Sequence, residues 1–108
     1  HDGGKTWTTP RSLGLQGYPP HLTRLKDGRL LLSYDHRIAP YGVQVRFSDN
    51  HGASWSEPVI ITENEEKLDQ GYPSTVQLDD HIFLSVWYEV PPGKKKAVLK
   101  QARWTAQK

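Results

Sequence analysis

Short apolar runs separated by polar turns recur along the whole chain, and no window has the spacing of a long amphipathic helix. The runs at residues 22–25, 30–34, 43–47, 59–61, 75–78, 82–88 and 97–104 are β-branched or aromatic in content. Lys26-Asp27-Gly28, residues 49–52, Asp79-Asp80 and Pro91-Pro92-Gly93 punctuate them as turns. Val43, Val45 and Phe47 alternate with Gln44, Arg46 and Ser48, the signature of a half-buried strand. Leu30-Leu31-Leu32 does not alternate, so both of its faces are expected to be covered. Residues 63–68 form at most one helical turn in a polar loop. The pattern predicts an all-β chain.

Two repeats run through that pattern. His1-Asp2-Gly3-Gly4-Lys5-Thr6-Trp7 returns as Ser48-Asp49-Asn50-His51-Gly52-Ala53-Ser54-Trp55. The two tryptophans are about 48 residues apart, the length of one four-stranded propeller blade. Out of phase with them, Gly17-Tyr18-Pro19 returns as Gly71-Tyr72-Pro73, each copy leading into a strand, an Asp-containing turn and another strand. These repeats divide the chain into a turn and outer strand at 1–16, a complete four-stranded unit at 17–70, and three strands at 71–108. With no initiator Met and a first unit that starts in mid-pattern, the chain is expected to be part of a larger protein.

Composition narrows the classes of function. The 108 residues are 35% hydrophobic and 24% charged, as in a folded domain rather than a disordered one. A net charge of +2, with one basic run at Lys94-Lys95-Lys96, gives no wide basic face for nucleic acid. There is no cysteine, hence no disulfide or thiolate site, and the five histidines lack ligand spacing, so neither metal nor cofactor is expected. No apolar stretch reaches membrane-spanning length.

The tryptophan turns have their own chemistry. Asp2 or Asn50 can accept hydrogen bonds from the N–H groups of its loop. Gly4 and Gly52 can take positive φ. Thr6 or Ser54 can bond locally, and Trp7 or Trp55 can cover an apolar edge. This pattern resembles the Asp box, Ser-x-Asp-x-Gly-x-Thr-Trp, of sialidases and other bacterial-neuraminidase-repeat proteins. The first copy matches through Asp2, Gly4, Thr6 and Trp7; the second through Ser48, Gly52, Ser54 and Trp55, with Asn50 in place of the Asp. The Gly-Tyr-Pro segments and Ala102-Arg103-Trp104 also look like the closing part of such domains.

The resemblance implies about two blades of a six-bladed β-propeller. It also implies a glycoside hydrolase that removes a terminal, anionic sugar with retention of configuration. Carried over by position, Tyr72 is the catalytic nucleophile and Arg37 a carboxylate-binding arginine, with Arg46 its rival; Asp35, His36 and Glu89 follow as substrate-binding candidates. A phenol needs a nearby base and cationic surroundings to serve as a nucleophile at neutral pH. A guanidinium would supply the bidentate clamp that a carboxylate wants. His21 stands near the start of an inner strand, and Glu63, Glu65, Glu66 and Asp69 read as a solvated loop. The alternative is a non-catalytic carbohydrate-binding or scaffold propeller showing Tyr18, Tyr41 and Trp87 at its rim. Expected partners are a glycan and either the missing blades or further copies of the chain. The resemblance places the protein outside the cell or in the periplasm.

Overall fold

A computed structural model describes residues 2–64 and 66–106; His1 and Glu65 of the motifs above lie outside the described residues. Seven strands form: β1 (His21–Arg24), β2 (Leu30–His36), β3 (Gly42–Ser48), β4 (Val59–Ile60), β5 (Gln70–Asp79), β6 (Ile82–Glu89) and β7 (Val98–Thr105). All pairings are antiparallel between chain neighbours, giving one sheet in the order β1-β2-β3-β4 and a second in the order β5-β6-β7. No helix occurs among the described residues. Each strand falls on an apolar run, because pleated backbone with tight turns is the local optimum for such residues.

The two sheets meet through β2 and β5. Leu31, Val45 and Phe83 are wholly buried and, with Leu25, make the core. Phe83 stacks on Trp104 with ring centroids 4.5 Å apart, and Phe47 meets both rings edge-on. Beside this apolar contact runs a chain of buried hydroxyls. Ser33 Oγ lies 2.7 Å from Thr75 Oγ1, which lies 2.7 Å from Ser85 Oγ, and Trp104 Nε1 donates to Ser85 Oγ at 2.9 Å. Each hydroxyl thus exchanges a water partner for a protein one, which is what makes its burial tolerable. Two more bridges join the sheets: the Thr75 N–H donates to His21 Nδ1, and the Lys26 N–H to Gln77 Oε1. As the unbroken leucine run implies, both faces of β2 are covered, with Leu31 turned to the core and Leu32 also buried.

The all-β expectation stands, but the propeller is corrected. The described residues form two open sheets of four and three strands, and neither is closed or curled as a blade of a ring would be. The reason is physical. Meanders with tight turns are set by local sequence, whereas closure is a long-range property that no turn motif encodes. Residues 8–16 carry no strand where an outer one was expected. Trp87 is buried at 5% exposure rather than at a rim.

The tryptophan turns do share one local geometry. Asp2 Oδ1 accepts the N–H groups of Lys5 and Thr6, and Oδ2 the Thr6 hydroxyl at 2.5 Å; the hydroxyl bond is the main cause that holds this carboxyl below its ordinary range. Asn50 Oδ1 accepts the Ser54 N–H and the Ser48 hydroxyl, while Nδ2 donates to Ser54 Oγ at 2.7 Å. In each turn the indole lies 3.5 Å from where a Cβ on Gly4 or Gly52 would sit. Trp55 is half-buried, but Trp7 is 86% exposed and covers no apolar edge.

Two substitutions test the seam between the sheets by denaturant unfolding. Phe83→Ala is expected to cost about 3–5 kcal/mol as a large core deletion. Thr75→Val keeps the volume but strips two hydroxyl partners, and is expected to cost about 1–3 kcal/mol. A neutral Thr75→Val would show that the hydroxyl chain contributes nothing.

Candidate functional site

The end of β2 gathers the chain's densest polar cluster. Strand alternation sends Tyr34 to one face and Asp35 to the other, and the two Gly-Tyr-Pro copies pack against this strand end from opposite sides. Gly17 lies on the Tyr34 ring: a Cβ there would come within 2.4 Å of Tyr34 Cδ2 and 2.9 Å of the Asp35 carbonyl oxygen. Gly71 lies on the other side, where a Cβ would meet an Arg37 Nη at 3.0 Å and the Asp35 Cβ at 3.2 Å. Both glycines also have φ near +140°, so no other residue fits either position without strain.

Asp35 is the hub. It is 1% exposed, pairs with Arg37 Nε, and accepts a hydrogen bond from Gln70 Nε2 at 3.2 Å. Buried Gln70 in turn accepts from Asn64 Nδ2 at 2.6 Å. Burial raises the Asp35 carboxyl to about 6, and the Arg37 charge and the Gln70 bond only partly oppose it. Arg37 is held on three sides: by Asp35, by the Tyr18 carbonyl at 3.4 Å, and by the Tyr18 ring, over which its guanidinium carbon sits at 4.8 Å. Both polar contacts run through Nε, and one Nη lies over Gly71.

A β-bulge directly follows Gly71, the glycine that packs against this guanidinium. Gly71 pairs with Tyr88 and Ser74 with Val86, so Tyr72 and Pro73 together oppose only Trp87. Pro73 has no N–H to give to the ladder. Tyr72 takes φ +53°, an unusual value for a non-glycine residue, and its side chain is left 69% exposed. Its ring packs on Tyr88 at 5.7 Å. Tyr88 donates its phenolic proton to Asp69 at 2.5 Å, which is the main cause holding its pKa above the ordinary value. No hydrogen bond to the Tyr72 hydroxyl occurs among the described residues, so no base is paired with it here.

The other candidates are dispersed. Arg46 lies on the opposite face of the first sheet from Asp35, donating to Tyr34 Oη at 2.9 Å and to the Ser56 carbonyl. His36 bonds through Nδ1 to the Pro40 carbonyl at 2.7 Å. Glu89 is buried and paired with Lys100 at 2.7 Å, beside an open depression of about 680 Å³ that Glu63, Asn64, Glu66, Leu68 and Pro92 also line. His21 bonds to β5, accepting the Thr75 N–H at Nδ1 and meeting Ser74 Oγ through Nε2. Sequence reasoning missed Gln70, Asp69 and Tyr88. The repeated Gly-Tyr-Pro did point at Tyr18, but nothing in the chain marks Gln70 as the buried partner of an aspartate 35 residues earlier. No group of three or more His, Cys, Asp or Glu side chains arranged to hold a metal ion occurs among the described residues.

No protein-family model and no curated protein matches the chain. A solved structure of a protein of unknown function from Dyadobacter fermentans DSM 18053 is similar over 97% of this chain, at 33% identity and a TM-score of 0.80. The matched part is 29% of that chain, so the present chain corresponds to a portion of a longer one. These findings overturn the sialidase, Asp-box-repeat and glycoside hydrolase assignments. The likeness of the two turns is local hydrogen bonding, and no family or activity follows from it.

Asp35 sets a pH dependence of known sign. Its folded value, about 6, is above that of an ordinary aspartate, so the fold favours the protonated form. Its contribution to stability is present at low pH and is lost as pH rises from about 4 to about 6, by at most about 3 kcal/mol. Unfolding at a series of pH values should show this decline in the native chain and not in Asp35→Asn. Equal pH profiles for the two would refute the assignment.

Proposed function

We propose that this chain is a recognition portion of a larger β protein, and that Arg37, Tyr18 and Tyr72 bind the carboxylate of a small organic ligand. The observation that carries this reading is the bulge at Gly71-Tyr72-Pro73. It holds an exposed tyrosine in a costly backbone conformation, one residue after the glycine that packs on a pre-positioned guanidinium. Strain of that kind is worth of order 1–3 kcal/mol and persists where the surroundings over-determine it. Gly71 brings backbone against the guanidinium where any side chain would intrude.

The chemistry is that of a clamp. Asp35 and the Tyr18 carbonyl orient Arg37 through Nε, and the Nη groups are the donors suited to a carboxylate. Tyr18 and Tyr72 are exposed flat rings that can cover the carbon skeleton behind that carboxylate. An acidic glycan and an aromatic acid both carry this chemistry. Asp35 tunes the clamp: as it takes up a proton, the Arg37 charge is left to the ligand.

Titration of the full-length protein with glucuronate and with benzoate, followed by isothermal calorimetry, tests the reading. Binding of either acid is expected, tighter at pH 5 than at pH 7.5. Arg37→Ala is expected to weaken it about 10- to 100-fold, the loss of a charge-assisted pair. Because Arg37→Ala also leaves Asp35 without its cation, Tyr72→Ser supplies a variant that spares the buried pair, and it too should weaken binding. Unaltered affinity in both variants, or no binding of either acid, would overturn the proposal.

A further inference from the structure

The three-stranded sheet has one face turned to the core and one that, beyond the Tyr72 ring on Tyr88, is left largely uncovered by the described residues. Alternation along β5, β6 and β7 places Thr75, Phe83, Ser85, Trp87 and Trp104 on the inner face. The outer face carries Val76 at 52% exposure, Leu78 at 46%, Val86 at 40% and Leu99 at 86%, with Leu84 between them. The register sets these side chains together: Val76 opposes Leu84, Ser74 opposes Val86, and Tyr88 opposes Leu99. This is a contiguous apolar stripe across three strands, not the scattered single residues of an ordinary surface.

The first sheet shows what such a strand normally has. Both sides of β2 are buried, by the second sheet on one face and at Tyr34 by the segment through Gly17 on the other. β6, with Ile82, Phe83, Leu84, Val86 and Trp87, has the same two-sided character in the same central position of its sheet. Its outer side lacks such a cover. Strands that read as near-continuous apolar runs belong between two layers. The similar Dyadobacter chain continues well beyond the matched portion, which is 29% of its length.

We infer that the outer face formed by Val76, Leu78, Leu84, Val86 and Leu99 is an interface for a further β layer of the same, longer polypeptide. That layer presents aliphatic side chains to the stripe. At its border Gln101 and Arg103 supply polar groups on the edge strand β7. The inference does not depend on ligand binding at Arg37, although Tyr72 of that site packs on Tyr88 at the end of the stripe.

Cysteine labelling of the full-length protein, freed of any other cysteine, is the test. Val76→Cys and Leu99→Cys are small changes at exposed positions of this chain, and Lys95→Cys in the turn before β7 is the open reference. A maleimide is expected to react at Val76→Cys and Leu99→Cys about 100-fold more slowly than at Lys95→Cys, as for sites reached only by local opening. The protection should be independent of protein concentration, because the cover is in the same chain. Labelling as fast as at Lys95→Cys would show an open face and overturn the inference. Protection lost on dilution would overturn it too, by assigning the face to a second copy.

Discussion

The contact between β2 and β5 constrains everything else in this molecule. Ser33 and Asp35 both turn from β2 toward β5, and each must find a partner there because neither reaches water. Thr75 answers Ser33, and Gln70 answers Asp35. A slip of one residue in either strand would send these groups to the opposite face and leave their partners unpaired, at about 1–3 kcal/mol for each group. Apolar packing around Phe83 draws the sheets together and would be lost in the same slip, since Leu31 shares the face of Ser33 and Asp35. The polar seam and the core together select the register, and the register in turn places Arg37 over Gly71.

That placement explains why the site carries a raised carboxyl. Asp35 is short and sits on the strand face that closes against β5, so it loses water before it gains compensation. Arg37 and the Gln70 bond return only part of what burial removes. With a pKa of about 6 this carboxyl holds its arginine in place, while the charge it opposes to it falls away as pH drops through that value. The arginine is therefore fixed in geometry and adjustable in effective charge, two properties that an exposed surface pair does not combine.

The strands were legible in the sequence because their causes are local. Apolar runs of four to eight residues, with Asp-Gly or Pro-Gly between them, specify a meander whatever the rest of the chain does. The burial of both faces of β2 could be read from Leu30-Leu31-Leu32 for the same reason. What could not be read depends on how the sheets meet. Nothing in Trp87 distinguishes a rim aromatic from a buried one, and nothing in the sequence around Gln70 announces its bond to Asp35. The tryptophan turns misled as to architecture because Asp2 and Asn50 build a self-contained hydrogen-bonded loop. Such a loop closes identically wherever a strand pair needs one, so it carries no information about a ring.

The Gly-Tyr-Pro repeat was the more informative signal, and its meaning emerges only from the packing. One tripeptide has been used twice on a single strand end, once on each face. On the Tyr34 face its glycine admits an aromatic ring, and its tyrosine carbonyl and ring reach around to Arg37. On the Asp35 face the same glycine admits the guanidinium itself, and the following tyrosine is turned out by the bulge. The difference between the copies is thus the difference between adjacent residues of β2, Tyr34 and Asp35, pointing opposite ways. Strand alternation converts one repeated motif into two unlike walls of a site, and Arg37, two residues beyond Asp35, is the group on which they converge.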